Sequence, residues 1–135
     1  MAGTYHLPHP QFRQGVNVRG IENQPTGGFA DSEYGKYAMF NMPIGLALWN
    51  DVLFVADSMN HAIRIILPTS EVITITGTGS PGYINGFLSE SMFHVPQGVY
   101  VFGNELIIID TGNSLIRRIV LPRYDYDEDM GDYHE

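Results

Sequence analysis

Between residues 38 and 121 the chain is written in short apolar runs separated by turn residues, which is the signature of strands and not of helices. The runs predict strands at 44–48, 52–57, 62–67 and 72–76, then at 99–102, 105–110 and 115–121. Between the first two of each group stand Trp49-Asn50-Asp51 and Gly103-Asn104, residues that tolerate the left-handed conformations of tight hairpins. The expected local structure is therefore a pair of antiparallel meanders, four strands in the first and three in the second.

The two meanders are copies. Phe40-Asn41-Met42-Pro43-Ile44-Gly45 and Leu53-Phe54-Val55-Ala56-Asp57-Ser58-Met59-Asn60-His61-Ala62-Ile63-Arg64 return 53 residues later as Phe93-His94-Val95-Pro96-Gln97-Gly98 and Leu106-Ile107-Ile108-Ile109-Asp110-Thr111-Gly112-Asn113-Ser114-Leu115-Ile116-Arg117. A fixed period of this length signals a unit that cannot bury its apolar face alone. Four strands per unit fit a β-propeller blade. The Pro-x-Gly strand, the apolar strand ending in Asp, and the following Asn and Ile-Arg resemble the NHL repeat family over about residues 16–121. The resemblance implies an all-β partial β-propeller of two four-stranded blades, with protein or sometimes RNA partners.

A fainter echo lies upstream. Val16-Asn17-Val18-Arg19-Gly20 and then Gly27-Gly28-Phe29-Ala30-Asp31 resemble Val72-Ile73-Thr74-Ile75-Thr76-Gly77 and then Pro81-Gly82-Tyr83-Ile84-Asn85, with a few residues inserted. Residues 16–20 read as an outer strand that belongs to a preceding blade, 38–77 as blade one and 92–121 as blade two. An extended arm (1–15) and an acidic, tyrosine-rich tail (122–135) flank them. The tail is too charged to supply the outer strand of blade two, so that strand is expected from another chain. Two blades are too few to curl into a ring, since propellers take four to eight. Head-to-tail exchange of the leading strand gives a closed ring or an open filament. Val16, Asn17, Val18 and Arg19 are the expected donors, and Leu115, Arg118 and Val120 the expected receiving edge. Tyr124 and Tyr126 are candidate partner anchors in the tail.

Charge and composition narrow the function. The chain carries a net charge of −8, but six of its fifteen acids fall in the last eleven residues, so the body is nearly neutral. One lysine and six scattered arginines make no basic stripe, which disfavours nucleic acid. No apolar run is long enough to span a membrane, and nothing resembles a secretion signal. The expected compartment is cytoplasmic by default, or extracellular if the chain is processed. Absence of cysteine removes disulfides, thiol nucleophiles and cysteine metal sites.

The residues that look chemical have structural readings. Asp57 with Asn60, and Asp110 with Asn113, invite a metal loop, but no further oxygen ligands alternate at calcium-loop spacing. They suit turns whose side chains accept backbone N–H bonds. Arg64 and Arg117 recur at one position, as expected of a guanidinium bonding carbonyls or the repeat's own Asp. His61 and His94 have no counterparts in the other repeat, being matched by Ser114 and Asn41, and His61 is expected on an exposed loop. Thr76-Gly77-Thr78-Gly79-Ser80-Pro81-Gly82 lacks the Lys-Ser/Thr and helix of a phosphate loop. No catalytic set, cofactor or metal is expected. The sequence thus reads as a structural or protein-interaction module that self-assembles head to tail. The alternatives are a subunit whose other blades lie on different chains, or a metal-dependent propeller hydrolase or lyase.

Overall fold

The structure, a computed structural model, describes residues 27–122. Blade one is a four-stranded antiparallel sheet in the order β1 (Pro43–Trp49), β2 (Val52–Asp57), β3 (Ala62–Ile66) and β4 (Val72–Thr76). Blade two is a three-stranded sheet, β5 (Pro96–Phe102), β6 (Glu105–Asp110) and β7 (Leu115–Val120). The first hairpin closes on Asn50 and Asp51, both at positive φ, and the second on Gly103. Positive φ at both corner residues, or at the first alone, matches the twist of the flanking strands, which is why short polar residues and glycine occupy these corners.

Strands β1 and β5 begin earlier than the apolar runs suggest, at Pro43 and Pro96. Proline lacks the N–H that a ladder needs but is accepted as the first residue of a strand. Each pairs with the Asp that ends the neighbouring strand (Pro43 with Asp57, Pro96 with Asp110), and the register shifts before Gly45 and Gly98. After that Asp, a short 310 turn (Ser58–Asn60 or Thr111–Asn113) and one left-handed residue, His61 or Ser114, bring the chain back as β3 or β7.

The core lies between the two sheets. Phe54, Ala56 and Ile63 from blade one meet Leu106, Ile108 and Phe93 from blade two. Because side chains alternate across a strand, each sheet has a forward face and a rear face. Blade one presents its forward face (Ala47, Trp49, Phe54, Ala56, Ile63) to the rear face of blade two (Val99, Val101, Leu106, Ile108). The backbones of β1 and β5 approach closely at Gly45, where an added Cβ would lie 2.9 Å from the Gly98 Cα.

Candidate interaction surfaces: two buried clasps and an open slot

The spacing Asp-x-x-Asn-x-x-x-Arg folds into a buried clasp in each blade. The Asp57 carboxylate accepts the Asn41 backbone N–H (2.8 Å), the Asn60 Nδ2–H (2.8 Å) and the Arg64 Nη1–H (2.6 Å). In blade two Asp110 accepts from the His94 backbone, Asn113 and Arg117 at 2.8, 2.8 and 2.7 Å. Each Asn also donates to a connecting ribbon, Asn60 to the Gly28 carbonyl and Asn113 to that of Gly82.

Each guanidinium is held between two rings. Arg64 lies 5.0 Å from the Phe29 centroid and 4.7 Å from that of Phe40, and Arg117 lies 5.1 Å from Tyr83 and 4.5 Å from Phe93. Aromatic faces favour a cation at this range, and a paired, hydrogen-bonded guanidinium can be buried where a bare one could not. Arg64 and Asp57 are both fully buried. Neither can meet a ligand, so the clasp fixes strands and ribbons to one another. Among the described residues, no three His, Asp or Glu side chains group as a metal site.

The blades differ where the ribbon meets the outer strand. In blade one the Asp31 carboxylate takes the Arg64 Nη2–H (2.8 Å) and also the Thr74 backbone N–H (2.9 Å) and hydroxyl (2.8 Å) from β4. Burial works against this carboxylate, but the Thr74 bonds and Arg64 outweigh it and hold its pKa below the ordinary value. Ser32 exchanges backbone bonds with Val72, so β4 lies in a slot between β3 and the 31–32 ribbon. The matching position in blade two is Asn85, whose Oδ1 accepts from Arg117 Nη2 (2.8 Å) and Nε (3.1 Å). Among the described residues no strand fills the slot beside it. A cavity of about 440 Å³ lies there, lined by Thr76, Asn85, Gly86, Phe87, Leu88 and residues 117–120 of β7 among others. Among the described residues nothing pairs with the outer edge of β7.

The sequence-derived candidates fall as follows. Leu115 and Val120 are exposed on the open strand, while Arg118 is exposed and paired with Glu105 at 3.0 Å. Val16, Asn17, Val18, Arg19, Tyr124 and Tyr126 lie outside the described residues. His61, expected on an exposed loop, is buried in the seam between blades, where its Nδ1 accepts the Val95 N–H at 3.0 Å. The left-handed turn that carries it points the ring inward, toward His94 at a centroid distance of 5.6 Å. Asp31 and Asn85 were not picked out by residue type. Their shared place, just after Gly-Phe-Ala and Gly-Tyr-Ile, was the available signal.

The comparisons with known proteins agree with this architecture. The NHL repeat family model matches residues 40–66. The chain is 35% identical over 97 residues to Protein SUPPRESSOR OF QUENCHING 1, chloroplastic, of Arabidopsis thaliana, covering 69% of this chain and 9% of that one. It is 38% identical over 71 residues to human NHL repeat-containing protein 2, covering 53% of this chain and 10% of that protein. An auxiliary nutrient binding protein from Bacteroides thetaiotaomicron superposes with a TM-score of 0.63 at 26% identity, over 70% of this chain and 26% of that one. The chain thus spans about a tenth of the length of these sequence relatives. It carries NHL repeats folded as propeller-type blades.

Proposed function

We propose that this chain is a non-catalytic protein-interaction module that assembles head to tail, blade against blade, by strand exchange. One observation carries the reading. Positions that are buried where the two blades meet recur, 53 residues away, as exposed apolar side chains on the free faces. Ile63 is fully buried in the seam, while its counterpart Ile116 is 70% exposed. Ala47 and Trp49 pack into the seam, whereas Tyr100 and Phe102 are exposed. On the rear side the relation inverts: Val99 and Val101 are packed and their counterparts Leu46 and Leu48 are exposed.

The free forward face of blade two therefore has the character of a surface that already binds a blade, and the free rear face of blade one has the character of that blade. Such faces complement each other and not themselves, which favours a head-to-tail contact leading to a ring or filament. Exposed apolar area of this kind marks an interaction surface, and the near-neutral body favours protein over nucleic acid. The open edge of β7 supports strand addition at the same junction.

Sedimentation of the purified chain over a range of concentrations tests the proposal. Species at multiples of 15.1 kDa are expected, and Tyr100→Asp with Phe102→Asp should return the chain to the single-chain mass. A wild-type chain that stays at that mass throughout would overturn it.

A further inference from the structure

Resting on that head-to-tail reading, we infer that the open slot of blade two takes residues 15–20 of a second copy in one register, with Gly20 seated against the Ser114–Leu115 turn and Asn17 facing Asn85. Three independent features of the filled slot in blade one set this register.

The first is a glycine that cannot be replaced. Gly77, which follows β4, has φ +106, and a Cβ on it would lie 2.5 Å from both the Ala62 Cα and the His61 carbonyl oxygen. A strand entering this slot must therefore be followed by glycine where it passes the turn. The counterparts of His61 and Ala62 in blade two are Ser114 and Leu115, and Ser114 has the same left-handed conformation at φ 56. In Val16-Asn17-Val18-Arg19-Gly20 only Gly20 meets that requirement.

Placing Gly20 on the Gly77 position determines the rest. Val16 and Val18 then fall on Ile73 and Ile75, and Asn17 and Arg19 on Thr74 and Thr76. In blade one Ile75 packs against the core between the blades. The alternation of apolar and polar residues is thus kept, and Val18 is directed at the next blade. A slip of one residue would turn both valines to the wrong face.

The third feature is chemical. Asp31 offers only acceptors, and the residue of β4 before it, Thr74, supplies donors. Asn85 has its Oδ1 turned to Arg117, because a guanidinium can only donate. Its amide Nδ2 donates to the Tyr83 hydroxyl at 3.4 Å, which leaves one amide hydrogen for an acceptor on the incoming strand. Asn17, in this register, brings a side-chain carbonyl to that place. Residues 15–20 thus bring an acceptor to the place where the slot of blade two can donate.

A second copy is the occupant because of connectivity. The link from β4 leads through Gly77 to the ribbon at 82–86, which serves the following blade. By the same relation residues 16–20 stand one blade before the ribbon at 27–32, which serves blade one. A strand so placed on the β7 edge of one copy brings its own blade one onto the exposed forward face beside it.

Because the chain has no cysteine, paired substitutions can read the register without background. Ile73 is the cross-strand partner of Ile65, so Val16 should lie opposite Arg118. Cysteines on directly opposed residues are within bridging distance, and those two positions further along are not. Under mild oxidation the full chain with Val16→Cys and Arg118→Cys should give a ladder of covalent multimers at least tenfold faster than the chain with Val18→Cys and Arg118→Cys. Equal or reversed rates would overturn the register while leaving head-to-tail exchange in place. A cross-link within single chains would show that a chain fills its own slot and would overturn the second-copy assignment. No cross-link in either variant, from a chain that sediments at the single-chain mass, would remove the head-to-tail reading itself.

Discussion

Blade one and blade two share a clasp built from the same residues at the same spacing, yet among the described residues only blade one has its outer strand. In blade one the ribbon carboxylate Asp31 is shared between Arg64 and β4. In blade two the ribbon amide Asn85 serves Arg117 and faces an open slot. The clasp therefore holds together the three inner strands and the ribbon without help from the outer strand. The outer strand thus adds to a blade whose other parts are already tied together.

The sharpest way to break the comparison is to remove the shared carboxylate. Asp57→Ala leaves the fully buried Arg64 without its main counter-charge. Loss of one partner of a buried pair costs about 3–5 kcal/mol, read by urea denaturation. Asp110→Ala should cost less, because Arg117 borders the open slot and can be reached by water, whereas Arg64, though it keeps the half-exposed Asp31, is fully buried. Equal costs would mean that the slot does not soften blade two.

The next effect compares one residue type at one repeat position. Ile63→Ala opens a cavity in the seam and should cost about 2–5 kcal/mol. Ile116→Ala, on the exposed forward face, should stay within about 0.5 kcal/mol when measured on single chains and should weaken self-association instead. A third, smaller change isolates the tie between ribbon and outer strand. Thr74→Val removes the hydroxyl that donates to Asp31 Oδ1, worth about 0.5–1.5 kcal/mol. Asp31 would keep the Thr74 backbone bond and Arg64, so the blade should remain intact by its circular-dichroism spectrum.

The strand pattern was legible because the short apolar runs, the turn residues and the constant offset all pointed to the same meander. The early starts at Pro43 and Pro96 were not, since proline normally reads as a break and only the pairing with Asp57 and Asp110 shows it to be a strand's first residue. Recurrence at one offset distinguishes residues every blade needs, such as Asp57 and Arg64, from those that serve a single junction. It does not reveal direction. Whether a loop histidine points to solvent or into a seam depends on the left-handed turn at His61 and on the neighbouring blade. The unequal pair Asp31 and Asn85 was visible as a difference, but its meaning depends on which strand stands beside it.

His61 gives the smallest effect, and one that blade two lacks, because Ser114 holds the matching place. Burial, and then the positive charge that His94 can carry beside it, hold the His61 pKa below its ordinary 6.5, against the opposing pull of the Asp110 carboxylate. The folded chain consequently binds fewer protons at this site than the unfolded one. Stability rises with pH where that is so. The contribution is complete above about pH 6.5 and is lost as the pH falls below it toward the folded-state value. Protonation would also remove the bond at Nδ1, which accepts the Val95 N–H only while that nitrogen carries no proton. Urea midpoints measured at pH 8 and pH 5.5 should fall on acidification, and less so for His61→Asn, whose side-chain oxygen can accept at either pH. His94 and Asp110 remain in both chains and supply the common background. An identical pH dependence in the two proteins would show that the seam between the blades is indifferent to this proton.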